Sequence, residues 1–180
     1  MYIKAGMNNK RQYKLRIGVS SCLLGQNVRY DGSNKKHSFV TKLCETFDCV
    51  AICPEYRIGM GVPRSPINLV SIDNVIHAQC SVYPHLDVTA ALKNDACNLV
   101  VSEPALVGYV FKARSPSCGV NSTPFTNGYT KTIAGYTSGI FSEKIRKLLP
   151  NLPIIEEENL TNEIELKAYI DRVLQFAEAV

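Results

Sequence analysis

Residues 105–119 read ALVGYVFKARSPSCG, and this stretch decides the fold. ALVGYVFKA (105–113) is a short, almost continuous apolar run between Pro104 and a Ser-Pro-Ser turn, the pattern of a buried strand. The loop that follows carries Cys118 between that turn and a glycine. A disulfide, a packing residue, or a ligand or nucleophile held at the mouth of a sheet would each put a cysteine there.

Working outward, LRIGVS (15–20), CVAIC (49–53, stopped by Pro54), INLVSI (67–72) and LPIIEE (152–157) are further short apolar runs. Between them lie helical patterns. SFVTKLCETF (38–47) has Ser38 as its expected cap. LDVTAALKNDACNLVVSE (86–103) has Asp87 to cap it and Pro104 to end it. SGIFSEKIRKLLP (138–150) puts its basic residues toward the end favoured by the helix dipole. NEIELKAYIDRVLQF (162–176) opens on Asn162 and Glu165, an N-x-x-E capping pattern. Gly128 and Tyr129 mark a turn in a long irregular stretch. Strands alternating with amphipathic helices predict an α/β fold: one Rossmann-like domain over 15–180, with a mostly parallel sheet flanked by helices. Residues 1–14 are expected to form a flexible basic arm.

The chain has 180 residues, 46% apolar and 20% charged, which suits one soluble globular core. No apolar run reaches the roughly 18 residues of a membrane span, and the N-terminus lacks the apolar segment of a secretory signal. The expected compartment is the cytoplasm, where thiols stay reduced. Seven cysteines there are not expected to form a disulfide framework. The net charge of +4 permits an anionic substrate, but the pI of 8.6 is below that of a dedicated nucleic-acid binder, above about 9.

Three cysteines fall at one kind of place. Cys22 follows the first strand by two residues, Cys53 closes the second, and Cys118 lies in the loop after 105–113. In a parallel sheet these carboxyl ends share one edge, and ligands bind outside that edge. Cys44 and Cys97 lie in helical patterns, Cys49 starts a strand at the opposite end of the sheet, and Cys80 sits in an undefined loop; packing is the simpler reading for all four. Three thiolates could hold zinc, although a closed zinc site takes four ligands. They could equally hold a cubane iron–sulfur cluster with one iron left open. A local Cys44-Cys49-Cys53 cluster is the competing arrangement.

Glu55, two residues after Cys53, is the candidate general base, with Asp31 in reserve and Ser117 beside Cys118 as a third candidate. Ser21, Arg29, Arg64, Lys112 and Ser115 flank the cysteine loops and are the candidate substrate contacts. His37, His77 and His85 form no metal-spaced motif. Neither G-x-x-x-x-G-K nor G-x-G-x-x-G occurs, which removes support for the common nucleotide-cofactor folds.

The blocks VSSCLLGQNVRYDGSNK (19–35), CPEYRIGMGVPRSP (53–66) and KARSPSCG (112–119) resemble the three signature blocks of the TudS, or thiouracil desulfidase, family. The resemblance implies a 4Fe-4S cluster on Cys22, Cys53 and Cys118, and non-redox removal of sulfur from thiolated uracil as base, nucleoside or nucleotide. It implies a small-molecule partner in preference to tRNA, since the chain is too short for the second domain of tRNA-acting relatives. Asn68 stands where relatives often carry glutamate, and Glu158-Asn159 where their tail often has Gly-Arg. These departures bear on the substrate. A cluster-carrying module without turnover is the alternative function.

Overall fold

The computed structural model describes residues 14–179. The expected N-terminal arm, apart from Lys14, lies outside the described residues; Lys14 itself donates to the Glu45 carbonyl at 2.6 Å.

Among the described residues, eight strands form two sheets. The first holds β1 (Arg16–Ser20), β2 (Asp48–Ile52), β5 (Leu106–Phe111) and β8 (Ile154–Glu156) in the order β2-β1-β5-β8, all parallel. Every residue of β5 is buried, as a strand covered on both faces requires. Two glycines let large side chains pack directly against the sheet. A Cβ on Gly18 would stand 2.5 Å from the Tyr109 ring, and one on Gly108 would stand 2.9 Å from Tyr169 and Val173. Helices α1 (Ser38–Thr46) and α5 (Glu163–Ala179) pack one apolar cluster, through Val40, Leu43, Leu166 and Val173. Helices α3 (Thr89–Ser102) and α4 (Ile140–Leu148) pack a second, through Ala96, Leu99, Phe141 and Ile145.

The second sheet was not expected. It comprises β3 (Ile67–Ile72), β4 (Val75–Cys80), β6 (Thr123–Asn127) and β7 (Ile133–Thr137) in the order β4-β3-β6-β7. Its two hairpins are antiparallel and only β3 and β6 run parallel, so this sheet is mixed. Cys80 therefore ends a strand rather than lying in a loop, and the stretch after Cys118 is a hairpin rather than irregular. Leu92 of α3 and Ile140 of α4 also pack against this sheet, so one helical layer serves both.

One capping expectation changes and another holds. Ser38 is the first helical residue, with His37 before it and no side-chain cap. Asn162 does cap α5, accepting from Ile164 and Glu165 at 2.9 and 3.0 Å. Cys44 and Cys49 form a disulfide, against the expectation of reduced packing residues. The chain turns directly from α1 into β2, leaving their Cα atoms 5.4 Å apart, within bridging range. That bond removes the local Cys44-Cys49-Cys53 cluster. No helix of the described residues is long and apolar enough to cross a membrane.

Candidate metal centre

A cavity of about 550 Å³ opens at the carboxyl ends of β1, β2 and β5, closed on one side by the start of β3. Cys22, Cys53 and Cys118 all line it, and all three are free thiols. Cys22 sits in a 3-10 turn directly after β1, Cys53 immediately precedes the short helix α2 (Pro54–Arg57), and Cys118 follows the turn after β5. Parallel strands thus bring together three residues separated by up to 96 positions of sequence (118 − 22).

Burial pushes the Cys22 thiol up to about 11, with the neighbouring Cys53 adding to the effect. Burial likewise raises Cys53 and, more strongly, Cys118, which also feels Cys53. Burial therefore keeps all three as neutral thiols in the free protein, and a bound metal would deprotonate them outright. In the core beneath, the Tyr109 hydroxyl packs in the same cluster as Cys118 and has no hydrogen-bond partner. Three soft donors with no fourth protein ligand fit a cubane cluster, which takes three cysteines and leaves one iron open. Among the described residues no three His, Cys, Asp or Glu side chains are placed to hold a single metal ion as they stand.

Glu55 is the carboxylate the structure brings to the thiols. It is 9% exposed, in the first turn of α2. Its Oε2 accepts from Arg64 Nε at 2.9 Å and Nη2 at 2.7 Å, and its Oε1 accepts from Ser117 Oγ at 2.8 Å. Ser117 Oγ lies 3.6 Å from Cys118 Sγ. A carboxylate, a hydroxyl and a thiol therefore form one chain across the cavity wall. Arg64, expected as a substrate contact, gives its Nη1 donors to the carbonyls of Val28 and Gly61, at 3.0 and 2.9 Å. It is a fixture for Glu55.

The other candidates divide. Ser21 lines the cavity and is buried. Ser115 lines it too, but its Oγ accepts from the Cys118 N–H at 3.2 Å and its carbonyl closes the turn. Lys112 is paired with the buried Glu157, and Arg114 with Glu158. Arg29 engages Ser33 through Nε alone and stands 3.8 Å from Asp31. Asp31 does not line the cavity. Its Oδ1 accepts from the Ser33 hydroxyl and N–H, and these bonds hold its carboxyl below the usual value. It is a turn residue, because Asp-Gly satisfies its own backbone locally.

Sequence reasoning missed Ser20, Lys35 and Glu157. Ser20 Oγ accepts the Lys112 N–H at 3.0 Å. Lys35 lines the cavity and belongs to none of its wall's ion pairs, which are Glu55–Arg64, Lys112–Glu157, Arg29–Asp31 and Arg114–Glu158. The alternation in VIHAQC after Asp73-Asn74 was the signal for β4 that went unread.

The sequence profile of the 2-thiouracil desulfurase family matches residues 17–158. The chain belongs to that family. It is 30% identical over 109 residues to the uncharacterized protein YbbK of Bacillus subtilis (strain 168), covering 57% of this chain and 72% of that one. Its fold is similar to that of a [4Fe-4S]-dependent thiouracil desulfidase, TudS (DUF523Vcz), with a TM-score of 0.67 and 28% identity over 88% of this chain and 99% of the other. The family read from the three sequence blocks is thereby confirmed, and it is a family of enzymes.

Proposed function

We propose that this protein is an iron–sulfur-dependent, non-redox desulfidase that converts a thiolated uracil and water into uracil and sulfide. The observation that carries the reading is the convergence of three free thiols and the Glu55–Ser117 pair on one cavity. Cys22, Cys53 and Cys118 would hold a 4Fe-4S cluster. When bound, it supplies a Lewis-acidic iron with an affinity for soft sulfur.

The chain's own residues then handle the water. Arg64 pins Glu55 Oε2, which leaves Oε1 as the face that accepts protons. Ser117 donates to that oxygen from a position beside Cys118, so it can pass a proton between the cavity and the carboxylate. Water adds to the thiocarbonyl carbon and gives a proton through Ser117 to Glu55; the carbon–sulfur bond then breaks, the carbonyl forms, and the sulfur leaves as sulfide taking up water's protons, with no net change of oxidation state.

The wall's charges favour an anionic substituent. Lys35 and the outer guanidinium nitrogens of Arg29 remain available once the ion pairs are counted. Their placement suits a 5′-phosphate, and makes a mononucleotide a better substrate than the free base. Folded tRNA is disfavoured, since a net charge of +4 offers few phosphate contacts. The reading includes a cytoplasmic location, where thiols stay reduced for a cluster and the Cys44–Cys49 pair would be reduced as well.

The test is anaerobic reconstitution with iron and sulfide, iron analysis, and incubation with 2- and 4-thiouracil and their nucleotides. Loss of thiocarbonyl absorbance with stoichiometric sulfide supports the reading. A loaded protein that releases no sulfide from any of them sinks it.

A further inference from the structure

Two consecutive carboxylates, Glu156 and Glu157, hold the Cys118 loop, and the chemistry above makes no use of them. Strand β8 runs parallel to β5 with Phe111 opposite Glu156. The residues after each strand therefore leave the same edge side by side. Glu156 Oε1 accepts from the Val120 N–H at 2.6 Å and from Ser122 Oγ at 2.5 Å. Glu157 accepts from the Ala113 N–H at 2.6 Å and from the Lys112 ammonium. Glu158 pairs with Arg114. The Arg114 N–H donates in turn to Ser122 Oγ at 2.8 Å, which ties the entry of the loop to its exit.

We propose that Glu157, assisted by Glu156, is a positioning residue for the metal centre, holding both ends of loop 112–122 so that Cys118 and Ser117 meet Cys22, Cys53 and Glu55. Two observations argue for this over simple stabilisation. First, Arg114 and Asn121 both sit at positive φ, 58° and 59°. Such conformations persist only where the surroundings over-determine them, and the carboxylate bonds fall at their neighbours, Ala113 and Val120. Second, Glu157 is only 5% exposed. A buried ion pair is weak evidence of a stability gain, because desolvation offsets much of the attraction. Its evident consequence is geometric, and it also keeps the Lys112 charge fixed at the cavity edge. The turnover part of the inference rests on the desulfidase reading; the metal-binding part does not.

The test uses the full chain, reconstituted anaerobically, as Glu157→Gln, Glu157→Asp and Glu158→Gln. Iron retention against a chelator, the cluster's electron paramagnetic resonance and visible dichroism, and kcat and KM are read for each. Outer partners of metal ligands are worth about 10–100-fold in affinity or activity, so Glu157→Gln should lose iron more readily by that factor. Its cluster signals should shift, and kcat should fall more than KM rises. Glu157→Asp should recover part of the loss, and the exposed Glu158→Gln should match the parent. A folded Glu157→Gln with the parent's iron retention and spectra overturns the inference. Should Glu157→Gln not fold, the double variant Glu156→Gln, Ser122→Ala releases the loop exit alone, and parental iron retention and spectra there overturn it equally. A parent that holds iron but releases no sulfide would sink the desulfidase reading and leave the iron measurements to decide this one.

Discussion

Gly139→Ala isolates the placement of the Cys118 loop from its chemistry. Helix α4 begins against that loop: the N–H groups of Ile140 and Phe141 donate to the carbonyls of Pro116 and Ser117, each at 3.0 Å. A Cβ on Gly139 would lie 2.5 Å from the Ser117 carbonyl carbon, 2.6 Å from its oxygen and 2.7 Å from the Cys118 nitrogen. Non-bonded heavy atoms rest about 3.5–4.0 Å apart, so one side must retreat by about 1 Å. Gly139 has φ −63° and ψ 153°, which any residue adopts, so the effect is steric and not conformational. Overpacking of this kind costs about 1–3 kcal/mol. At about 2–4 °C per kcal/mol for a chain of this size, the melting temperature of the cluster-free protein should fall by about 2–12 °C. A displacement of about 1 Å at a reacting group costs about 10²-fold in rate, and turnover of the loaded enzyme should fall by that order. Calorimetry and an absorbance assay on thiouracil measure both. If the variant melts with the parent and turns over within about threefold of it, α4 yields instead of the loop, and the helix does not fix Cys118.

Replacing Cys22, Cys53 or Cys118 by serine should abolish iron retention on anaerobic reconstitution, while Cys80→Ser and Cys97→Ser should keep it; iron retained without Cys22 would break the assignment. Glu55→Gln should keep its iron and still bind thiouracil but lose about 10²–10⁴-fold in turnover, the usual worth of general-base help; near-parental turnover would move the base elsewhere. Lys35→Met with Arg29→Met should raise KM for a thiolated uridine monophosphate and leave KM for thiouracil nearly unchanged; an equal effect on both refutes a phosphate contact. Burial raises the thiols above their ordinary 9.0, Cys22 to about 11, so the unfolded chain loses its thiol protons first. The stability that follows is present below pH 9.0 and is lost as pH rises toward about 11, at about 1.4 kcal/mol per pH unit for each thiol. Urea unfolding of the reduced, cluster-free protein at both ends of that window checks the slope, which Cys22→Ser should flatten.

The parallel sheet was legible because its strands are apolar on both faces and its helices are amphipathic, so composition and period agree at each element. Direction then did the rest: once LRIGVS, CVAIC and ALVGYVFKA are parallel, their carboxyl ends share an edge and three cysteines follow. The second sheet was less legible. Its strands carry Pro124, Thr126, Gly135, His77 and Gln79, because one face is open and the residues there need not be apolar. The hairpin turn at Asp73-Asn74, both at positive φ, was written in the sequence and overlooked. The Cys44–Cys49 disulfide depends on how sharply α1 turns into β2, which no periodicity reports.

Within the site, residue types were legible and pairings were not. A strand's side-chain period says which face a residue takes, but not which charge thirty or forty residues away will meet it. Glu157 lies 44 residues from Ala113, and Glu55 lies 62 from Ser117. In sequence, Arg64 and Lys112 look like substrate contacts beside the cysteines, while Glu156 and Glu157 only close an apolar strand pattern. In the fold, Arg64 and Lys112 are neutralised by Glu55 and Glu157. Arg114 turns outward to Glu158. What remains positive toward the cavity comes from the loop after β1, at Arg29 and Lys35. The separation has a chemical logic. On the proposed reading, cations fixed by carboxylates beside the thiols hold the reacting geometry without drawing a substrate's charge onto the cluster-binding cysteines. The available cations stand on the loop that also carries Cys22, and on the proposed reading they bind a substituent while the thiocarbonyl reaches the cysteines.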